Sequence, residues 1–404
     1  MSLKVEPHRA VLLSVSRSLH VYGPLQEAEA RSLRGVGVTL GVDVRRFDSP
    51  VSLADALETH PPIAVLIASG CDGAVEVMAN LRGQVRFASV PVLGLSVDRH
   101  DVLFADLYSQ GGDDLLDART LQPLVARLRP LAERPDGVGP SKARGSAVIA
   151  GADLTWRAGV GRMVANAGLV PLYVNNAHDA VECASGADAR FVIARDDLPP
   201  EGAAAAIAKC LERYVVVPWV VVAPGKRVHS LRESLGHPHV AVVDALAPPD
   251  NLLFIANDLG RSQLAERRAA PRLLFGATAA FRPSGAPEDD IGFTYNVSMG
   301  GLYVRTLAPA AMGAEVWLEL RVPTTDRIVR LVGLVAWRRA FGPSESATVP
   351  PGFGVRLTGG VPGDLERWAD GCRALADEPG SNHRISAWDK LSQLPPSLAA
   401  STIV

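Results

Sequence analysis

Twice along this chain, short apolar runs alternate with helix-forming segments, and beyond about residue 259 the alternation stops. Runs at 9–15, 42–47, 63–68 and 92–96 predict buried strands, with a fifth after Gly111-Gly112-Asp113-Asp114-Leu115-Leu116. Segments 24–34, 52–58 and 121–131 have helical spacing, with Ser52 the expected cap of the second helix. Such alternation implies a parallel sheet covered by helices on both faces. A Pro- and Gly-rich stretch at 134–145 reads as a linker, and the pattern then restarts. Strands are expected at 147–151, 168–174, 191–194, 215–223 and 240–243. Helices are expected at 155–167 (capped by Thr155), 178–185, 202–213 and 251–264.

After that, strand-like runs follow one another: 272–281, 292–296, 301–306, 315–322, 328–338 and 352–357, then a helix at 363–375. Six short strands without intervening helices predict a small antiparallel barrel, which leaves no open edge. The expected architecture is two α/β doubly wound domains (1–137 and 145–258), then a six-stranded antiparallel β-barrel with a C-terminal helix (262–378). The tail, 379–404, is expected to be disordered or a short docking segment.

Composition narrows the function classes. The 404 residues are 48% hydrophobic with a net charge of −2, so several cores can be filled. No global field draws the chain to nucleic acid or to an anionic membrane. The longest apolar run, 214–223, is broken by Pro218 and is about half of the ~20 residues a membrane helix needs. The opening residues Met1-Ser2-Leu3-Lys4-Val5-Glu6 carry no long apolar segment, so a cytoplasmic protein is expected. Cys71, Cys183, Cys210 and Cys372 are scattered, and His237-Pro238-His239 has no third ligand nearby. No metal, no cofactor and no enzymatic activity are expected.

Two motifs stand out. Arg268 and Arg272 form an Arg-x-x-x-Arg, preceded by Arg267; Asn296-Val297-Ser298-Met299-Gly300-Gly301 forms an Asn-x-Ser-x-x-Gly within a strand-like run. Guanidinium forks bind phosphate or the O6/N7 edge of guanine with two hydrogen bonds, and their planes stack on bases. Asn296 and Ser298 are two apart on a strand, so an amide and a hydroxyl share one face. Gly301 admits close approach of chain or ligand. Trp317 and Trp337 alternate with apolar residues and are expected in the core.

With these motifs, the strand Gly333-Leu334-Val335-Ala336-Trp337 and the closing Gly352-Phe353-Gly354-Val355-Arg356-Leu357, the region from 262 to 376 resembles the PilZ domain. The resemblance implies a ligand, cyclic di-GMP, held by Arg267, Arg268, Arg272, Asn296, Ser298 and Gly301. The two α/β domains resemble response-regulator receivers, whose chemistry needs an acidic pair after the first strand, an Asp after the third and a Lys after the fifth. In the first domain these places fall on Ser14-Val15-Ser16, Ala68-Ser69-Gly70 and Asp117-Ala118. In the second they fall on Gly151 and Ala152, Arg195 and Asp244, with Ala223 at the switch position. A shift of one residue would put Asp196 at the acceptor place, still without its acidic pair or lysine. Both are therefore expected to be pseudo-receivers. The whole reads as a non-enzymatic effector of motility-type signalling that relays cyclic di-GMP to a protein partner, with a homodimer as one arrangement. A nucleotide-independent adaptor is the alternative.

Overall fold

Strands such as β3 (Ala64–Ala68), β6 (Ser146–Ala150) and β9 (Trp219–Ala223) are buried along their whole length, as strands covered on both faces must be. They are central to two parallel sheets in a computed structural model that describes residues 17–68, 70–84, 87, 90–96, 107, 111–117, 119, 121–133, 145–245, 249–261, 272–341 and 349–377. In the first domain, β1 (Ser18–Tyr22), α1 (Glu27–Leu40), β2 (Asp43–Phe47) and α2 (Pro50–Thr59) precede β3. Then come α3 (Ala74–Gly83), β4 (Val92–Leu95), β5 (Asp114–Leu116) and α4 (Leu121–Ala132). The sheet order is β2-β1-β3-β4-β5.

The second domain repeats this order. After β6 come α5 (Leu154–Asn166), β7 (Val170–Val174), α6 (Ala177–Ala184), β8 (Ala189–Arg195) and α7 (Gly202–Glu212). After β9 come α8 (Gly225–Ser234), β10 (Val240–Asp244) and α9 (Pro249–Arg261). Its order, β10-β9-β8-β6-β7, is the same doubly wound topology.

The barrel follows: β11 (Leu273–Leu274), β12 (Thr278–Pro283), β13 (Asp290–Ser298), β14 (Gly301–Arg305), β15 (Glu315–Arg321), β16 (Ile328–Arg339) and β17 (Gly352–Gly360). The ring β13-β12-β15-β16-β17-β14 closes through β14 on β13, and β11 pairs with β13 at Asn296 and Val297, beyond the stretch that β12 holds. Phe281, Val316, Leu318, Leu331 and Phe353 fill the interior, under Trp368 of α10 (Asp364–Asp377).

Several local expectations need correction. The first strand is Ser18–Tyr22, whereas 9–15 lies outside the described residues. Its alternating Ser18 and His20 hid it, although all five residues are buried. Ser49, not Ser52, caps α2, accepting the Ser52 N–H at 3.2 Å, with Pro50 pre-set at the first helical position. Asp153, not Thr155, caps α5, accepting the Trp156 N–H at 3.1 Å. The expected strand 272–281 is divided between β11 and β12. Trp317 is 43% exposed and carries Arg282 over its ring at 4.9 Å, so it is not core. The tail at 379–404 lies outside the described residues. No described helix is long and apolar enough to cross a membrane.

The three bodies pack directly. Leu274, Tyr295 and Tyr303 of the barrel share one apolar core with Leu252, Leu253, Ile255, Ala256 and Leu259 of α9. On the other side Leu307 joins the core of the first domain. Buried charge crosses two seams, first domain to barrel and first to second α/β domain. Arg127 of α4 donates to Asp114 at 2.8 Å and to Asp290 of the barrel at 3.0 Å. Arg162 of α5 pairs with Asp113, which also accepts the Val92 N–H at 2.8 Å.

Candidate nucleotide-binding cleft

The Asn-x-Ser-x-x-Gly stretch becomes a two-residue hairpin. Ser298 pairs with Gly301 across Met299-Gly300, joining β13 to β14. Ser298 Oγ donates to the Gly301 carbonyl at 3.2 Å, and Trp368 Nε1 donates to the Ser298 carbonyl at 3.0 Å, fixing the turn against α10. Gly301 is required by packing: a Cβ there would lie 2.4 Å from the Val355 carbonyl oxygen of β17.

Two β-bulges face each other beside this hairpin. One lies between Thr294 and Asn296 in β13; the other lies between Val335 and Trp337 in β16. Bulges re-aim side chains. Here they turn Asn296 and Trp337 into the same cleft, about 180 Å³ in volume. Trp337 lies across β17 at Gly354, where a Cβ would sit 2.4 Å from its indole nitrogen. Its ring stacks on Tyr303, with centroids 5.0 Å apart and planes 28° from parallel. Tyr303 is held in turn by donating its hydroxyl to the Pro350 carbonyl at 2.6 Å.

Arg272 and Arg356 stand at the rim, both exposed. Arg272 immediately precedes β11, whose Leu273 pairs with Val297, and so lies alongside Ser298. Arg356 is opposite Gly301 on β17 and makes no ion pair with a described residue. No described aspartate or glutamate lines the cleft. Asn296 is only 3% exposed, yet no described residue hydrogen-bonds its side-chain amide. Its amide atoms are not among the buried unpartnered polar atoms; they open to the cleft, where water or a ligand can meet them.

Of the residues singled out in the sequence, Arg272, Asn296, Ser298 and Gly301 meet in this cleft. Arg267 and Arg268 lie outside the described residues. Sequence reasoning missed Tyr303, Trp337 and Arg356 as cleft residues. Strict alternation from Val335 would put Trp337 on the barrel's inner face; the bulge instead leaves it half-buried, packed against the core shared with α9 and lining the cleft. Arg356 sat within a quoted motif, and only the pairing of β17 with β14 brings it to Gly301.

The receiver-like places fall where expected in the second domain but not after the first strand of the first. In the second domain Arg195 turns toward Gly151, lies 6.0 Å from the Trp156 ring and 3.5 Å from Asp197. Asp196 is buried and forms an ion pair with Arg227 of α8 at 2.6 Å. In the first domain the place after the first strand is Gly23-Pro24, not Ser14-Val15-Ser16, which lies outside the described residues; it carries no acidic pair either, and Asp117 is taken by Arg119 at 2.8 Å. No group of three or more His, Cys, Asp or Glu able to hold a metal occurs among the described residues. His237 and His239 simply face each other, rings 5.5 Å apart, within a loop.

No family model and no curated protein matches the chain. Among solved structures, a response regulator in red light signaling of R. palustris is 17% identical, covering 31% of this chain and 99% of its own, at a TM-score of 0.26. The PilZ domain of CeSA from a cellulose synthesizing bacterium is 13% identical over 26% of this chain and 97% of its own, at 0.20. The Bacillus subtilis inhibitor of motility is 18% identical over 28% of this chain and 54% of its own, at 0.23. Likeness this distant carries no functional argument, which rests instead on the residues of the cleft.

Proposed function

We propose that this chain is a non-enzymatic, cytoplasmic signalling protein whose barrel binds cyclic di-GMP and relays that state to a protein partner. The observation that carries the reading is the convergence of Arg272, Asn296, Ser298, Gly301, Trp337 and Arg356 on one cleft that no described acid lines. Each type of group has a counterpart on the ligand. The two guanidinium groups offer forked donors for phosphate or the guanine Hoogsteen edge. The Asn296 amide can both donate to and accept from a base edge. The Trp337 indole provides a stacking surface for a purine, and base–aromatic stacking is worth about 1–3 kcal/mol per base.

The barrel face supplies part of such a site. Its volume, about 180 Å³, is below the ~300 Å³ at which drug-sized ligands are usually held. In this reading Arg267 and Arg268, outside the described residues, supply further guanidinium groups for the phosphates. The two α/β domains have no phosphotransfer role; they are scaffold and docking surface.

The nucleotide-independent adaptor has one observation in its favour: the Ser298 hydroxyl is already engaged within its own turn, at 3.2 Å from the Gly301 carbonyl. A nucleotide panel separates the two. Emission of the full chain, corrected with Trp337→Phe, is followed while cyclic di-GMP, cyclic di-AMP or GMP is added. The effector reading expects a saturable change with cyclic di-GMP alone at low concentration. Equal or no response to all three supports the adaptor.

A further inference from the structure

The cleft does not end at the barrel. Trp337 stacks on Tyr303. Tyr303 meets Tyr295 at 6.1 Å with planes 70° apart, and Tyr295 meets Phe254 of α9 at 5.8 Å with planes 86° apart. Tyr295 is the bulged residue of β13: Thr294 faces Val304 and Asn296 faces Tyr303, leaving Tyr295 extra. The same distortion therefore sends Asn296 into the cleft and Tyr295 out toward the second α/β domain. Both tyrosines are almost fully buried, at 3% and 2%, in the core that Leu252, Leu253 and Ile255 of α9 complete.

We propose that Phe254 is a positioning residue of the cleft, acting through Tyr295 and Tyr303 to set the plane of Trp337. This rests on the reading of the cleft as a cyclic di-GMP site. Edge-to-face pairs have a preferred geometry, with centroids 4.5–7 Å apart, and so orient their members as well as fill space. Close-packed interiors transmit such constraints, because a ring cannot tilt without displacing its neighbours. The Tyr303 hydroxyl on the Pro350 carbonyl tethers one end of the ring, and Tyr295 bears on that ring edge to face. The second α/β domain would thus be part of the ligand site without touching ligand. Side chains along such contiguous networks shift affinity at a distance by about threefold to thirtyfold.

The test uses the full chain and three variants. Phe254→Leu keeps most of the apolar volume and removes the ring; Phe254→Tyr keeps the ring; Ile255→Val loosens the same seam without touching the ladder. Calorimetric titration with cyclic di-GMP is expected to give about threefold to thirtyfold weaker binding for Phe254→Leu, and wild-type affinity for Phe254→Tyr and Ile255→Val. Equal affinity in wild type and Phe254→Leu overturns the proposal, as does equal weakening in Ile255→Val. A second readout needs no ligand. The near-ultraviolet dichroism of the Trp337–Tyr303 stack, isolated as wild type minus Trp337→Phe, is expected to weaken in Phe254→Leu and to survive in Phe254→Tyr. Absence of heat in wild type sinks the nucleotide reading; an unchanged dichroism band in Phe254→Leu sinks the positioning role by itself.

Discussion

Asp113 and Asp114 are neighbours in the chain and hold opposite parts of the molecule. Asp113 takes Arg162 of the second α/β domain. Asp114 accepts the Leu307 N–H of the barrel at 2.7 Å and Arg127 at 2.8 Å, and Arg127 reaches on to Asp290. The Gly-Gly-Asp-Asp turn, in sequence a receiver-like feature, is in the structure the joint where all three bodies are fixed.

Arg127 should be the most costly single charge to delete. It is fully buried, and the two flanking carboxylates keep its guanidinium charged by raising its pKa against the burial that opposes charge. Arg127→Met leaves Asp114 and Asp290 facing each other without a counter-charge. Breaking a buried pair in this way costs about 3–5 kcal/mol. Urea unfolding is the check, with exposed Arg129→Met expected within about 0.5 kcal/mol of wild type.

Acid should weaken the first domain before carboxylates titrate. His20 is fully buried beside Phe47, with Ser18 Oγ 3.2 Å from its Nε2. Burial, and then the charge of Arg45, push its pKa down to about 4. An unfolded histidine titrates near 6.5, so between about 6.5 and 4 the unfolded chain binds the extra proton. Stability from neutral His20 is therefore complete above that window and lost as the pH falls through it, on the order of 3 kcal/mol in all. Melting temperature against pH should fall less steeply in His20→Gln over this range.

Neither α/β domain should accept a phosphoryl group. Asp196 is paired with Arg227, and Arg195 occupies the neighbourhood of Gly151. Incubation with radiolabelled acetyl phosphate and Mg²⁺ is expected to leave the chain unlabelled. Label lost in Asp196→Ala would show that the second domain retains the receiver reaction.

Gly301→Ala should damage binding and fold together. Its Cβ would meet a backbone oxygen of β17 at 2.4 Å, so β14 and β17 must separate. Overpacking of this kind typically costs about 1–3 kcal/mol. Met299→Ala, two residues earlier in the same hairpin and 39% exposed, is expected to keep wild-type stability in the same melting experiment.

The doubly wound sheets and the barrel were readable because burial on two faces and period-2 alternation leave strong marks, as in β9 and β15. β1 was missed because Ser18 and His20 are polar yet buried, and polar residues in a buried strand erase the apolar signal. Half of the cleft was readable for a similar reason. Asn296, Ser298 and Gly301 are close in sequence, and Arg272 belongs to a recognisable spacing. Trp337 and Arg356 depend on a bulge and on strand pairing, neither of which one strand's pattern encodes. The joint at Asp113 and Asp114 is a long-range relation, 49 residues from Arg162, and no local pattern points to it.

The central claim, that the cleft holds cyclic di-GMP, is tested most directly by calorimetric titration of the full chain and of Asn296→Ala. The account predicts saturable heat with wild type and at least about tenfold weaker binding in the variant, corresponding to about 1.4 kcal/mol for the lost amide contacts. Absence of heat in wild type at high micromolar ligand, or undiminished binding in Asn296→Ala, would contradict it.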